Sequence, residues 1–256
     1  MRSIFARPAR PKVLLLLSLA ILLFDGSVLA LNYYLSRHAL LEDLAAEAGI
    51  LRKALQSNIK ATERNLVLIA SMFAYDPEIR LLIKRASLAL QEDKTVVLAA
   101  IRARLLALTG PRWQRAMHTQ GARQLHFHLS PKATSLLRVH RPPKFGDALD
   151  DVRFTVNAAS RTCQVQTGIE TGRVVTGIRG IVPICQEDDQ GELKAIGTVE
   201  AGMAFGHVVE SLRQVSQVEV SILLHRRHVE STMWPRAIER HYAGQDLRED
   251  YLVEAT

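Results

Sequence analysis

Three patterns of apolar positions follow one another along the chain. Residues 13–35 are apolar almost throughout, interrupted by Asp25 and a few small or polar side chains. From 36 to about 74 the apolar residues recur at spacings of three and four, through Leu44, Leu51, Leu55, Ile59, Leu66 and Ile69, which predicts one long helix. Asp76-Pro77 supplies a cap and a first-turn proline for a helix over 78–90, and a third helical pattern runs over 95–108 to a stop at Thr109-Gly110-Pro111. After Trp113 the period changes from 3.6 towards 2. Alternation predicts strands over 124–129, 136–140, 163–170, 177–185 and 195–201, with helices over 147–159 and 205–215, and VEVSILLH from Val218 opens something new. The order predicts an α+β chain: a lobe with a mostly antiparallel sheet, then the start of a second, smaller lobe.

Charge changes the reading of the first segment. The chain has 256 residues, 48% of them hydrophobic, and carries a formal charge of +7. That content suits a packed protein. Arg2, Arg7, Arg10 and Lys12 stand just before VLLLLSLAILLF, so 1–12 reads as a cytoplasmic basic flank and 13–35 as a transmembrane signal anchor, with Asp25 the one charge it must carry. A signal peptide cleaved after Val28-Leu29-Ala30 is the competing reading. Either way the bulk of the chain is exported, which for a bacterium means the periplasm. The positive charge left over is scattered, and there is no zinc-finger spacing or aromatic binding motif, so no nucleic-acid partner is expected. Export also bears on Cys163 and Cys185, which can pair in an oxidising compartment. In a hairpin centred on Val174 the two would face each other; two unrelated small buried residues remain the alternative.

Several ordered motifs then carry a resemblance. LHFHLSPKATSLLRVHRPPKFGDALDDVR, TGIETGRVVTGIRGIVPI and IGTVEAGM are similar to the double Cache domains that lie outside the membrane in bacterial chemoreceptors, sensor histidine kinases and diguanylate cyclases. The match covers about 124–203. Gly172-Arg173-Val174-Val175-Thr176 replaces a more Gly-rich loop. The resemblance implies a sensory input module: long helix and PAS-like membrane-distal lobe over 36–217, and a membrane-proximal lobe over 218–256 that the chain leaves incomplete, with the output domain missing.

The candidate site follows from alternation. His126 and His128 share one face of their strand, and Arg138 and His140 share a face of the next. Arg138 and Arg179 are expected to grip a small anionic ligand through bidentate hydrogen bonds, with His126, His128 and His140 tuning the site and Glu170 orienting an arginine. Arg138 as an exposed strand residue and Arg179 in an internal ion pair with Glu170 are the structural alternatives. In the Val174-centred register Arg179 would lie on the other face from Glu170. A metal held by the three histidines, with Glu170, competes with the anion, but neither metal nor cofactor is expected. Asp147 reads as a helix cap, and Glu187, Asp188 and Asp189 as a solvated turn. With no GxSxG, HExxH, phosphate loop or kinase signature, the chain is not expected to be an enzyme. Homodimerisation through the long helix, across residues 44–55, is expected from the breadth of its apolar stripe.

Overall fold

The computed structural model describes residues 11–216, 219–246 and 249–255. The basic Arg2, Arg7 and Arg10 and the predicted start at Val218 lie outside the described residues. The chain divides into two compact units, 1–53 and 54–256. The first holds most of α1 (Pro11–Ala74), and its apolar side chains are exposed. An 18-residue window of this helix has mean hydropathy 2.5 and buries none of its residues, so it is long and apolar enough to cross a membrane.

The second unit contains the C-terminal turns of α1, then α2 (Pro77–Gln91), α3 (Thr95–Gln120), β1 (Gln124–Leu129), β2 (Thr134–Arg138), α4 (Phe154–Thr162), β3 (Gln166–Thr171), β4 (Thr176–Glu187), β5 (Leu193–Ala204) and α5 (Gly206–Ser216). After these come β6 (Ile222–His225), α6 (Arg226–Thr232), α7 (Pro235–His241) and β7 (Tyr251–Ala255). The fold is mixed α+β. Five antiparallel strands form one sheet in the order β2-β1-β5-β4-β3, while β6 and β7 pair separately around a small core of Val229, Met233, Tyr242 and Leu252.

Alternation gives the large sheet two unlike faces. Leu125, Phe127, Leu129, Ile178, Val182, Val199 and Ala201 join one apolar core with Leu66, Phe73, Ile83 and Leu105 from the first three helices. Gly180 shows how close that packing is: a Cβ there would come within 2.6 Å of the Val67 nitrogen and 2.8 Å of the Leu66 carbonyl carbon, so only glycine lets β4 lie against the helix backbone. The opposite face is covered by α4, which adds Val156 and Ala159 to a second small core with Ile181, Leu149 and Val152.

Three expectations need correction. The third helix does not stop at Gly110-Pro111 but continues to Gln120, where Gly121 ends it at φ 66°. Leu105, Thr109 and Trp113 recur every fourth residue and are all buried, so one continuous packed face outweighs the hydrogen bond that Pro111 cannot make. The inserted helix starts at 154 rather than 147. Arg153 occupies its cap position without a side-chain bond, and Glu170 of β3 accepts the Thr155 amide at 2.6 Å instead. The negative charge at this helix start thus comes from a neighbouring strand. Finally, the β3–β4 hairpin pairs Glu170 with Gly177 and Gly168 with Arg179, one residue out of the Val174-centred register. Thr171 faces Thr176 across a four-residue connection, and that single shift brings Glu170 and Arg179 onto the same face.

Candidate ligand-binding site

On the face beneath α4, the pairing of β1, β2, β4 and β5 assembles the basic residues around a carboxylate that sequence reasoning overlooked. Glu200 stands directly opposite both His126 and Ile181 and is fully buried. Its oxygens lie 3.3 Å from Arg179 Nη1, 3.7 Å from Arg153 Nε and 3.4 Å from His128 Nε2. Arg153 also reaches Glu170 at 3.8 Å, and Arg179 donates to the Gln124 side chain. Two guanidiniums and two carboxylates therefore cancel within one buried cluster. The signal for Glu200 was present in GTVEAGM, where a single acid interrupts an otherwise apolar or small-residue strand.

Electrostatics follow from this burial. Burial alone would raise the Glu200 carboxyl, but Arg153 and Arg179 overcome it and hold the pKa at about 2. Burial lowers Arg179 to about 10, and the nearby Arg153 adds to the effect. His128 falls to about 4 and His126 well below its usual range, chiefly because burial penalises the imidazolium, so both rings are neutral at ordinary pH. Ser135 Oγ lies 2.8 Å from His126 Nε2, and Thr198 Oγ1 lies 3.1 Å from His128 Nδ1.

Arg138 and His140 are differently placed. A bulge between Phe127 and His128 turns both Leu136 and Leu137 inward and ends β2 at Arg138, before His140. Arg138 still faces His126 across the pair, but its fork grips Asp147 through bonds of 2.7 and 2.8 Å and also donates to the Lys144 carbonyl at 3.0 Å. Asp147 is thus a partner for Arg138 rather than a helix cap, and that bond lowers its pKa. His140 Nδ1 donates to the Leu125 carbonyl at 3.2 Å.

Arg138 and His140 line a cavity of about 550 Å³, together with Arg141, Lys144, Arg173 and Trp234. Val174, Val175, Leu149 and Phe145 complete an apolar wall. Among the described residues, Arg141 and Lys144 make no ion pair, whereas Arg173 pairs with Asp151. The cavity therefore combines apolar surface with unneutralised positive charge. A second cleft, of about 700 Å³, lies elsewhere, beside Lys84, Asp150, Arg161 and Lys194, and none of the sequence-predicted site residues lines it. Cys163 and Cys185 form a disulfide with Cα atoms 6.2 Å apart. It ties the end of α4 to β4 rather than joining facing hairpin positions, because β3 begins only at Gln166.

Residues 39–255 match the model of the double sensory domain of two-component sensor kinases, dCache_3. The chain belongs to this family. It is a Cache-type sensory domain of signal transduction, a class defined by sensing rather than catalysis. Among solved structures, the chain is similar to the Escherichia coli DcuS sensor domain at 16% identity, covering 61% of this chain and 98% of that one with TM-score 0.38. It is also similar to the sensor domain of the Vibrio cholerae histidine kinase DctB, at 12% identity over 72% of this chain and 63% of that one, TM-score 0.49. A third is the ligand-binding domain of the Campylobacter jejuni chemoreceptor Tlp3, solved with L-valine, at 13% identity over 68% and 71%, TM-score 0.31. Among curated proteins none matches the chain.

Proposed function

We propose that this sensory domain is a membrane-anchored, extracytoplasmic receptor module that binds a small anionic ligand in the 550 Å³ cavity and passes the binding event towards a signalling domain. One observation carries the reading: Arg141 and Lys144 bring charge that has no carboxylate partner among the described residues to a cavity that is otherwise mostly apolar. Such a site suits a compact anion with an apolar part. Arg138 and His140 form its wall, while Arg179, Glu170, His126 and His128 stiffen the floor behind them.

The signal has a physical route. The β3–β4 connection forms one side of the cavity, and its Arg173 carbonyl accepts the Trp234 amide at 2.9 Å. His228 Nε2 lies 2.8 Å from Thr171 Oγ1 on the same hairpin. A ligand that prefers one position of this loop biases the segment carrying Trp234 and His228, by as much as its affinities for the two positions differ. The second lobe, from about residue 218 onward, is the receiving element in this scheme, and α1 supplies a span through the inner membrane. Exposed Leu40, Leu41, Leu44 and Ile50 support homodimerisation along α1.

The test is a thermal-shift screen of the full chain in lipid nanodiscs against small carboxylates and amino acids. A saturating hit at about a hundred times its Kd stabilises by about 2.7 kcal/mol. Lys144→Ala and Arg141→Ala should each weaken that hit at least tenfold while leaving the ligand-free melting temperature almost unchanged. Equal affinity in both variants would refute the cavity as the site. Absence of any crosslink from single cysteines at 44, 51 and 55 would refute the dimer.

A further inference from the structure

Supporting the cavity floor does not account for the donor atoms that one part of the buried cluster brings together. His126, His128 and Glu200 each offer one ligand-type atom, and these three atoms lie within 4.8 Å of one another. Glu200 Oε2 is 3.4 Å from His128 Nε2 and 3.9 Å from His126 Nδ1. A tetrahedral zinc ion with bonds of about 2.1 Å holds neighbouring ligand atoms roughly 3.4 Å apart, so small side-chain adjustments would close this set around an ion. His128 Nε2 and both Glu200 oxygens are buried and make no hydrogen bond, which is costly unless something else engages them.

The atoms behind the triad complete the pattern. Ser135 and Thr198 hydroxyl oxygens that accept would keep each imidazole's proton on the outer nitrogen and leave a lone pair on the inner one. Metal-binding histidines depend on that kind of outer partner for tautomer and orientation. Glu200 has a similar support, since Arg179 Nη1 sits nearer Oε1 and leaves Oε2 for the imidazoles. The set differs from the three-histidine arrangement considered on the sequence: His140 spends Nδ1 on a backbone carbonyl, and Glu170 holds the start of α4.

We propose that His126, His128 and Glu200 form a binding site for a first-row divalent cation of the zinc type, separate from the anion cavity. Two imidazoles and one carboxylate are a sufficient protein donor set for zinc and leave a fourth position for water. Arg153 opposes the ion. Its Nε lies 3.7 Å from the coordinating oxygen, and its Nη1 lies 3.8 Å from Glu170, so the cation displaces Arg153 towards Glu170.

The experiment uses tag-free full-length chain in nanodiscs, stripped with a chelator, reloaded with zinc chloride and desalted. Elemental analysis should find one zinc per chain, and cobalt substitution should give the visible bands of a tetrahedral ion. His128→Ala and Glu200→Gln should abolish both signals, while exposed His118→Ala should change neither. Arg153→Gln should tighten zinc by about tenfold or more, because a unit charge beside the ion is removed. Circular dichroism of the zinc-free variants separates loss of the site from loss of the fold, and Arg153→Gln tests the site independently where a ligand variant fails to fold. Wild-type chain that is folded but holds no stoichiometric zinc overturns the proposal, as does zinc that survives His128→Ala or is weakened by Arg153→Gln.

Discussion

The two faces of the large sheet are made from alternate residues of the same strands, yet they are stabilised in opposite ways. Against α1, α2 and α3 the sheet presents Leu125, Phe127, Leu129 and Val199, whose burial is favourable wherever they find apolar neighbours. Beneath α4 it presents His126, His128, Arg179 and Glu200, which are as deeply buried but tolerable only as a matched set. Polar groups of this kind reject most rearrangements, because any shift strands a charge. The apolar face therefore supplies stability, and the polar face supplies a defined geometry behind the cavity.

Substitutions can separate these roles. Phe127→Ala should cost about 3–5 kcal/mol in urea unfolding, because it opens a cavity in the main core. Arg179→Met should cost a similar amount, since it leaves Glu200 with only Arg153. The double variant Arg179→Met with Glu200→Gln should recover much of that loss, and no second substitution on the apolar face should rescue Phe127→Ala. If the double variant is as unstable as the single, the polar face is not a matched set.

The lid over the polar face has a covalent tether. Cys163 and Cys185 are 22 residues apart, so replacing both by serine should cost about 3 kcal/mol by loop-closure entropy. The loss should appear as a lower urea midpoint, with faster hydrogen exchange in α4 as its largest local effect. The smallest effect belongs to Asp147→Asn, about 1 kcal/mol at neutral pH, read by the same unfolding measurement. Arg138 depresses the Asp147 pKa, so this carboxylate contributes stability above its ordinary value of 3.8 and loses it as pH falls through the lower folded value. The difference between wild type and Asp147→Asn should therefore vanish in acid.

The apolar face was the more legible of the two. QLHFHL alternates so regularly that strand, face and core residues all follow from six letters, and the match over 124–129 is complete. The polar face depends on pairings far apart in sequence. Glu200 meets His126 only because β5 lies between β1 and β4, a topology that no local pattern encodes. Whether Glu170 and Arg179 share a face turned on one residue of hairpin register, set by a four-residue connection with weak turn chemistry. Trp234 reaches the cavity wall from a segment more than ninety residues after Arg138, and nothing near it in sequence indicates that destination.

Arg173 makes two kinds of contact at once. Its guanidinium pairs with Asp151 at the cavity, while its main-chain carbonyl takes the Trp234 amide. The first depends on residue identity and the second does not. On the function proposed above, the side chain at 173 can change, and with it what the cavity would accept, without cutting the main-chain link to Trp234. In that scheme recognition and transmission are separately heritable at this position, because one rests on a side chain and the other on the backbone.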